Sequence, residues 1–77
     1  MTSVEVSGMH GGLRTGKVIA FDPDKGSGLI APYSGDEHVP FQAQVIRFVD
    51  VVMAGQPVIY AIEWIDAAVR AVEVRPA

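Results

Sequence analysis

The residues best suited to chemistry lie in one stretch of the chain, residues 16–30. It contains two lysines, Lys17 and Lys25, one aromatic ring, Phe21, and the glycine-rich sequence Gly-Ser-Gly at 26–28. Lysines that contact phosphates beside rings that stack on bases are typical of surfaces that bind single-stranded nucleic acid. The stretch has the lysines and glycines of such a surface, although its single aromatic ring offers only one position for base stacking.

Other chemistries fit the sequence less well. The sequence at 26–28 lacks the Lys-Ser/Thr pair and the helix start that a phosphate-binding loop needs. Neither histidine, His10 or His38, has a partner at metal-ligand spacing. Short acidic turns are usually solvated loops rather than divalent-ion sites or acid–base pairs, and this applies to Asp22, Asp24, Asp36 and Glu37. We therefore predict a protein that is not an enzyme and has no metal and no cofactor.

Alternating and β-branched residues predict five short strands. Turn residues at 22–26 join the first two strands into a hairpin, and a second break falls at 32–36. The fourth strand places Val58, Tyr60, Ile62 and Trp64 on one side. The predicted strands are 17–21, 28–31, 37–41, 58–65 and 69–74.

The segment between the third and fourth strands, residues 42–54, is ambiguous. Its apolar residues fall on one stripe at helical spacing, and Gly55 is a natural C-terminal stop, which predicts a helix of two or three turns. Many of them are β-branched and therefore poor helix formers. The stripe is Phe41, Val45, Phe48, Val49, Val52 and Met53.

Together these elements predict an all-β fold. It is a small five-stranded antiparallel OB-type barrel with a short helix or helical turn between strands 3 and 4. With 77 residues the chain has room for one domain, which we place at 13–77 after a flexible tail at 1–12.

Composition limits the environment of this domain. The chain has no cysteine, and no segment approaches the roughly 20 apolar residues of a membrane helix, so we expect a cytoplasmic protein with no membrane contact. A net charge of −3 argues against tight, sequence-independent binding to duplex nucleic acid. Apolar residues make up 49% of this short chain, which favours some exposed apolar surface. One candidate for self-association into a homodimer is the surface around Ile59, Trp64 and Ile65.

The order of several short motifs resembles a bacterial cold-shock domain over roughly residues 16–74. No single motif is specific, but Phe41 to Gln56 needs no gap against the family pattern. The resemblance implies a barrel that binds single-stranded RNA or DNA on the face of its first three strands, with bases stacked on exposed aromatic rings. The matching residues are Gly16, Lys17, Val18, Phe21, Lys25 to Ile30, His38 to Phe41, Ala43, Gly55, Gln56 and Val58.

The departures from that pattern fall on the binding face. The opening Lys-Trp-Phe of the family is here Ile-Ala-Phe at 19–21, so the principal stacking ring is missing. Lys-Gly-Phe-Gly-Phe becomes Lys-Gly-Ser-Gly-Leu at 25–29, and Val-Phe-Val-His-Phe becomes Glu-His-Val-Pro-Phe at 37–41. Losing two stacking positions weakens binding by about two orders of magnitude, at about 1–3 kcal/mol for each stacked base.

Two functions remain open at this stage. In the first, the protein binds single-stranded nucleic acid weakly through the positions that match the family pattern, which are Lys17, Phe21, Lys25, His38 and Phe41. In the second, the barrel has lost this binding and acts as a protein-interaction or regulatory domain. For the two phenylalanines, a place in the barrel core is an equally good interpretation.

Overall fold

The computed structural model describes residues 12–77. Five strands follow one another along the chain and form a single antiparallel sheet in the order β3-β2-β1-β4-β5. They are β1 (Arg14–Asp22), β2 (Ser27–Pro32), β3 (Val39–Gln42), β4 (Pro57–Ile65) and β5 (Ala68–Pro76). The predicted all-β, five-stranded antiparallel fold is confirmed. The predicted tail at 1–12 lies outside the described residues except for Gly12.

Alternation along the strands separates an inner from an outer face of the sheet. The inward residues are β-branched or aromatic and are buried, so they form one continuous core. Between residues 12 and 77, none of the helical structure has the length and apolarity needed to cross a membrane. The core residues of lowest exposure are Val18, Ile30, Val58, Tyr60 and Val74.

The predicted helix of two or three turns after β3 is wrong, whereas the alternative of a short helical turn is confirmed. The chain makes one three-residue 3-10 turn, Ala43–Val45, and then runs as a loop to β4. Phe41 and Val52 of the predicted stripe are buried, but Phe48 and Met53 are 82% and 70% exposed, so the stripe does not form one packed face. The β-branched residues of this segment oppose a helix, and its packing is too sparse to impose one.

The two ends of the sheet meet at a short seam that closes the barrel. Ile46, just after the 3-10 turn, forms an isolated parallel bridge with Val74 of β5. The amide of Arg47 donates a hydrogen bond of 2.8 Å to the carbonyl oxygen of Val74. The strands around the core are thus joined into a closed arrangement by very few backbone contacts.

The hairpin of β4 and β5 extends beyond β1, which pairs only with the first part of β4. Its turn holds Asp66 and Ala67 at φ of 52° and 68°, as a tight two-residue hairpin turn requires. Trp64 lies on the same side of β4 as the buried Tyr60, but beyond the end of the core, and it is 64% exposed. Trp64 and Ile65 lie on opposite faces of β4, and Ile59 lies about 20 Å along the strand from Ile65. These three residues therefore do not form one continuous surface.

Candidate nucleic-acid interface

A β-bulge in β1 decides which of its side chains face outward. Val18 pairs with Ile30, whereas the next pairs are Ala20 with Leu29 and Phe21 with Gly28, which leaves Ile19 as the extra residue. Uninterrupted alternation from the buried Val18 would turn Phe21 outward. The bulge reverses this, so that Ala20 faces outward and Phe21 lies on the inner side.

Phe21 and Phe41 stack on each other across the middle strand, β2. Gly28 pairs with both residues, one on each neighbouring strand. The two ring centroids are 5.7 Å apart and the ring planes differ by 7°, which is a favourable parallel stack. A Cβ atom at position 28 would lie 2.6 Å from Cζ of Phe41 and 2.6 Å from the carbonyl oxygen of Ala20. The stack therefore requires glycine at this position.

The turn between β1 and β2 is held by its own hydrogen bonds. Oδ1 of Asp22 accepts from the amides of Asp24 and Lys25, at 2.9 and 3.4 Å. The amide of Gly26, which has a φ of 68°, donates to the carbonyl oxygen of Asp22 at 2.8 Å. The carbonyl oxygen of Gly26 in turn accepts from Ala43 at 2.9 Å. These bonds fix the backbone at Lys25 and tie the turn to the segment after β3.

A groove of about 700 Å³ lies at this end of β1, β2 and β3, bounded on its far side by β5. We call it the turn-end groove. Both stacked rings line it: Phe21 is half-buried and Phe41 is only 2% exposed. The other residues that line it are Ala20, Asp22, Ser27 to Leu29, Pro40, Gln42, Gln44, Val45 and Arg70 to Val72.

The three remaining predicted site residues do not line this groove. Lys17 is exposed on the outer side of β1, Lys25 is exposed in the turn, and His38 is exposed just before β3. The structure thus brings the two phenylalanines together. Lys17 lies four residues from Phe21 along β1, His38 lies three residues before Phe41, and only Lys25 is in the adjacent turn. Phe41 belongs to the core, in line with the second interpretation given to the phenylalanines.

Arg70 is a groove residue that sequence reasoning missed. It reaches the groove from β5, and its Nη2 lies 2.9 Å from Oε1 of Glu63 in an exposed ion pair. Nothing near it in the sequence marks it, because β5 becomes a neighbour of β3 only when the barrel closes. The bulge in β5 near Val72, where the register with β4 shifts, also could not be read from the sequence.

Tyr60 is an ionisable residue whose side chain lies in the core. Burial raises the pKa of its hydroxyl, nearby Arg14 opposes this shift, and nearby Asp36 adds to it.

Between residues 12 and 77, no three His, Cys, Asp or Glu side chains lie close enough together to hold a metal ion.

Comparison with solved structures finds the same architecture elsewhere. A structure described as "drosophila Unr CSD456", cold-shock domains 4 to 6 of Unr from Drosophila, matches 96% of this chain with a TM-score of 0.71 and 9% sequence identity. The chain has the OB-type fold of cold-shock domains. It spans 31% of the length of that structure, and at this identity the match shows the fold alone. No protein-family model and no curated protein matches the sequence.

The groove coincides with the departures from the cold-shock pattern. Four of the five positions at which this chain departs from the stacking residues of that pattern line the turn-end groove: Ala20, Ser27, Leu29 and Pro40. The fifth, His38, lies outside it. The four face outward on three adjacent strands, since Ala20 pairs with Leu29 and Leu29 with Pro40. Small or aliphatic side chains here leave a hollow where the family pattern would place rings.

Proposed function

We propose that this chain is a divergent relative of bacterial cold-shock domains that binds single-stranded RNA or DNA weakly through the face of β1, β2 and β3. The observation that carries the proposal is the turn-end groove, which combines an accessible ring with the positions that carry stacking residues in the family pattern. The proposed role is binding without catalysis, in the cytoplasm.

The roles of the residues follow from their exposure. Phe21 is half-buried and offers the accessible part of its ring to a base, while Phe41 supports that ring from below. Lys17 and Lys25 are exposed and contact phosphates. His38 adds an exposed imidazole, a weaker stacking group than the rings of the family pattern.

Weak binding is the expected consequence of this arrangement. A stacked base contributes about 1–3 kcal/mol, and one accessible ring provides one such contact. The protein carries a net charge of −3, so phosphate contacts are few and long-range attraction is absent. Binding therefore rests on a small number of local contacts.

The test is a fluorescence titration of labelled heptathymidine and its RNA counterpart at several salt concentrations. We expect saturable binding, and Lys17→Ala should reduce the slope of log affinity against log salt by about 0.7, the loss of one phosphate contact on a single strand. Arg14→Ala is the matched control, because it removes the same charge from the opposite end of the barrel. The absence of binding at low salt, or equal slope changes in both variants, would overturn the proposal.

A second candidate is an OB-type module that has lost nucleic-acid binding and binds a protein instead. The apolar character of the groove favours it, since Leu29 is 37% exposed there and Ala20 and Pro40 add no polar group. A homodimer through Ile59, Trp64 and Ile65 is a weaker form of this idea, because these residues are spread over two faces of β4. Sedimentation of Ile65→Lys beside the native protein distinguishes this form: a dimer that becomes a monomer supports it, and a native monomer excludes it.

A further inference from the structure

The barrel has a second hollow, of about 300 Å³, at the end of β1, β2 and β3 opposite the turn-end groove. We call it the Trp64 hollow. Its walls are aromatic and charged: Trp64 and Tyr60 of β4, Asp36 and Glu37 of the loop between β2 and β3, and Arg14 at the start of β1. None of these residues takes part in the proposed nucleic-acid site.

Trp64 presents an exposed indole ring at the rim of this hollow. Its exposed fraction is 64%, although it is the largest apolar side chain in the protein. Its partner across the hairpin, Val69, also lines the hollow. The tight turn at Asp66 and Ala67 holds the hairpin that carries the ring. An exposed indole face beside a hollow is a favourable surface for a cation.

Within residues 12–77 no basic side chain forms an ion pair with the carboxylates of the hollow. The only ion pair in that range is Arg70 with Glu63, so Arg14 makes no ion pair with either Asp36 or Glu37. Asp36 accepts one hydrogen bond of 2.7 Å, from Oγ of Ser34, which leaves its other oxygen available. Two carboxylates and one guanidinium give the hollow a net negative charge.

Tyr60 contributes a polar group to the wall of the hollow. The residue is 1% exposed, and burial raises the pKa of its hydroxyl, so this group is neutral at physiological pH. A neutral phenol can accept as well as donate, so the hydroxyl can pair with a donor group that enters the hollow.

We propose that the Trp64 hollow binds an arginine side chain of a partner protein. A guanidinium group is planar, stacks on an indole ring and donates several hydrogen bonds to carboxylates, whereas a lysine ammonium group does not stack in this way. An anionic ligand is disfavoured by Asp36 and Glu37. A free small cation would gain only the contacts of one open hollow, whereas an arginine within a peptide also brings its backbone against the exposed hairpin.

Trp64 is the only tryptophan, so its fluorescence reports directly on this site. The probes are acetyl-Ala-Arg-Ala-amide, its lysine and citrulline counterparts, and propylguanidinium as a free guanidinium of the same charge, each titrated into the full chain. We expect a saturable change in Trp64 emission with the arginine peptide, weaker binding of the lysine peptide by about fivefold, and no binding of the neutral citrulline peptide.

Variants link this signal to the carboxylates. Asp36→Asn combined with Glu37→Gln should weaken binding of the arginine peptide by about tenfold, while Asp24→Asn in the other turn should leave it unchanged. Circular dichroism verifies that each variant is folded. Equal binding of the citrulline peptide, no response to any probe, or full binding by the double variant would overturn the proposal. Propylguanidinium binding as tight as the peptide would also overturn it, since the ligand would then be a free small cation.

Discussion

Restoring one ring to the turn-end groove should strengthen oligonucleotide binding. Ala20 faces outward on β1, pairs with Leu29 and lies beside the half-buried Phe21. In Ala20→Trp the indole would extend over a groove of about 700 Å³ in which no other ring faces outward. A stacked base contributes about 1–3 kcal/mol, so the affinity for heptathymidine should rise by about 5-fold to about 150-fold.

The assay uses a Trp64→Phe background, so that the new indole is the only tryptophan and can be excited selectively over Tyr33 and Tyr60. Stacking of a base on Trp at position 20 should quench its emission, and the quench should saturate at the same concentration as the signal from a labelled strand. The matched control is Thr15→Trp, which adds an exposed ring to the same strand outside the groove. We expect this control to change affinity less than twofold, on the order of the noise of such titrations.

Two results would refute the reasoning. If folded Ala20→Trp binds no better than the native chain, the groove does not receive bases. If Thr15→Trp gains as much affinity as Ala20→Trp, the added ring binds the strand without using the groove, and the location of the site is wrong.

Three further predictions concern the core of the barrel. Phe41→Ala should lower the free energy of unfolding by about 3–5 kcal/mol in chemical denaturation, and Phe21→Ala should cost clearly less, since Phe21 is only half-buried; equal losses would contradict the assignment of Phe41 to the core. Gly28→Ala should cost about 1–3 kcal/mol, because the added Cβ displaces the ring of Phe41, and an unchanged or raised stability would contradict the stacked arrangement. The native state binds the Tyr60 proton more tightly than the unfolded state, so the contribution of Tyr60 to stability should be constant below the unperturbed pKa of 10.0 and fall above it. Tyr60→Phe should reduce the loss of stability at high pH, and an identical pH profile would contradict the burial of the hydroxyl.

The strands could be predicted because their signals are local. Turn residues at 22–26 and 66–68 and branched residues between them place four of the five strands within a few residues of their observed bounds. The third strand, Val39–Gln42, is shorter than predicted because the chain before Val39 pairs with no neighbour. The predicted helix after it was wrong, because only part of its apolar stripe packs on the core and its β-branched residues oppose a helix.

The site was less predictable, and the reason is the bulge at Ile19. After this extra residue, the side chains of β1 that would face inward face outward, and the reverse. No residue type in the sequence predicts the bulge. Whether Phe21 belongs to the core or to the surface therefore could not be decided from spacing. The groove itself depends on Arg70 and its neighbours in β5, which reach β3 only through the closed barrel.

The seam that closes the barrel also determines how the protein moves. β4 and β5 are paired along their whole length, whereas the segment after β3 is attached to β5 by one bridge and one hydrogen bond. Local opening is expected where the fewest hydrogen bonds must break, so we expect the seam to open before the rest of the barrel. Because Phe41 and Val45 lie next to this seam, its opening would expose the inner side of the stacked Phe21 and Phe41 rings. The same opening would widen the turn-end groove and loosen the packing of the core.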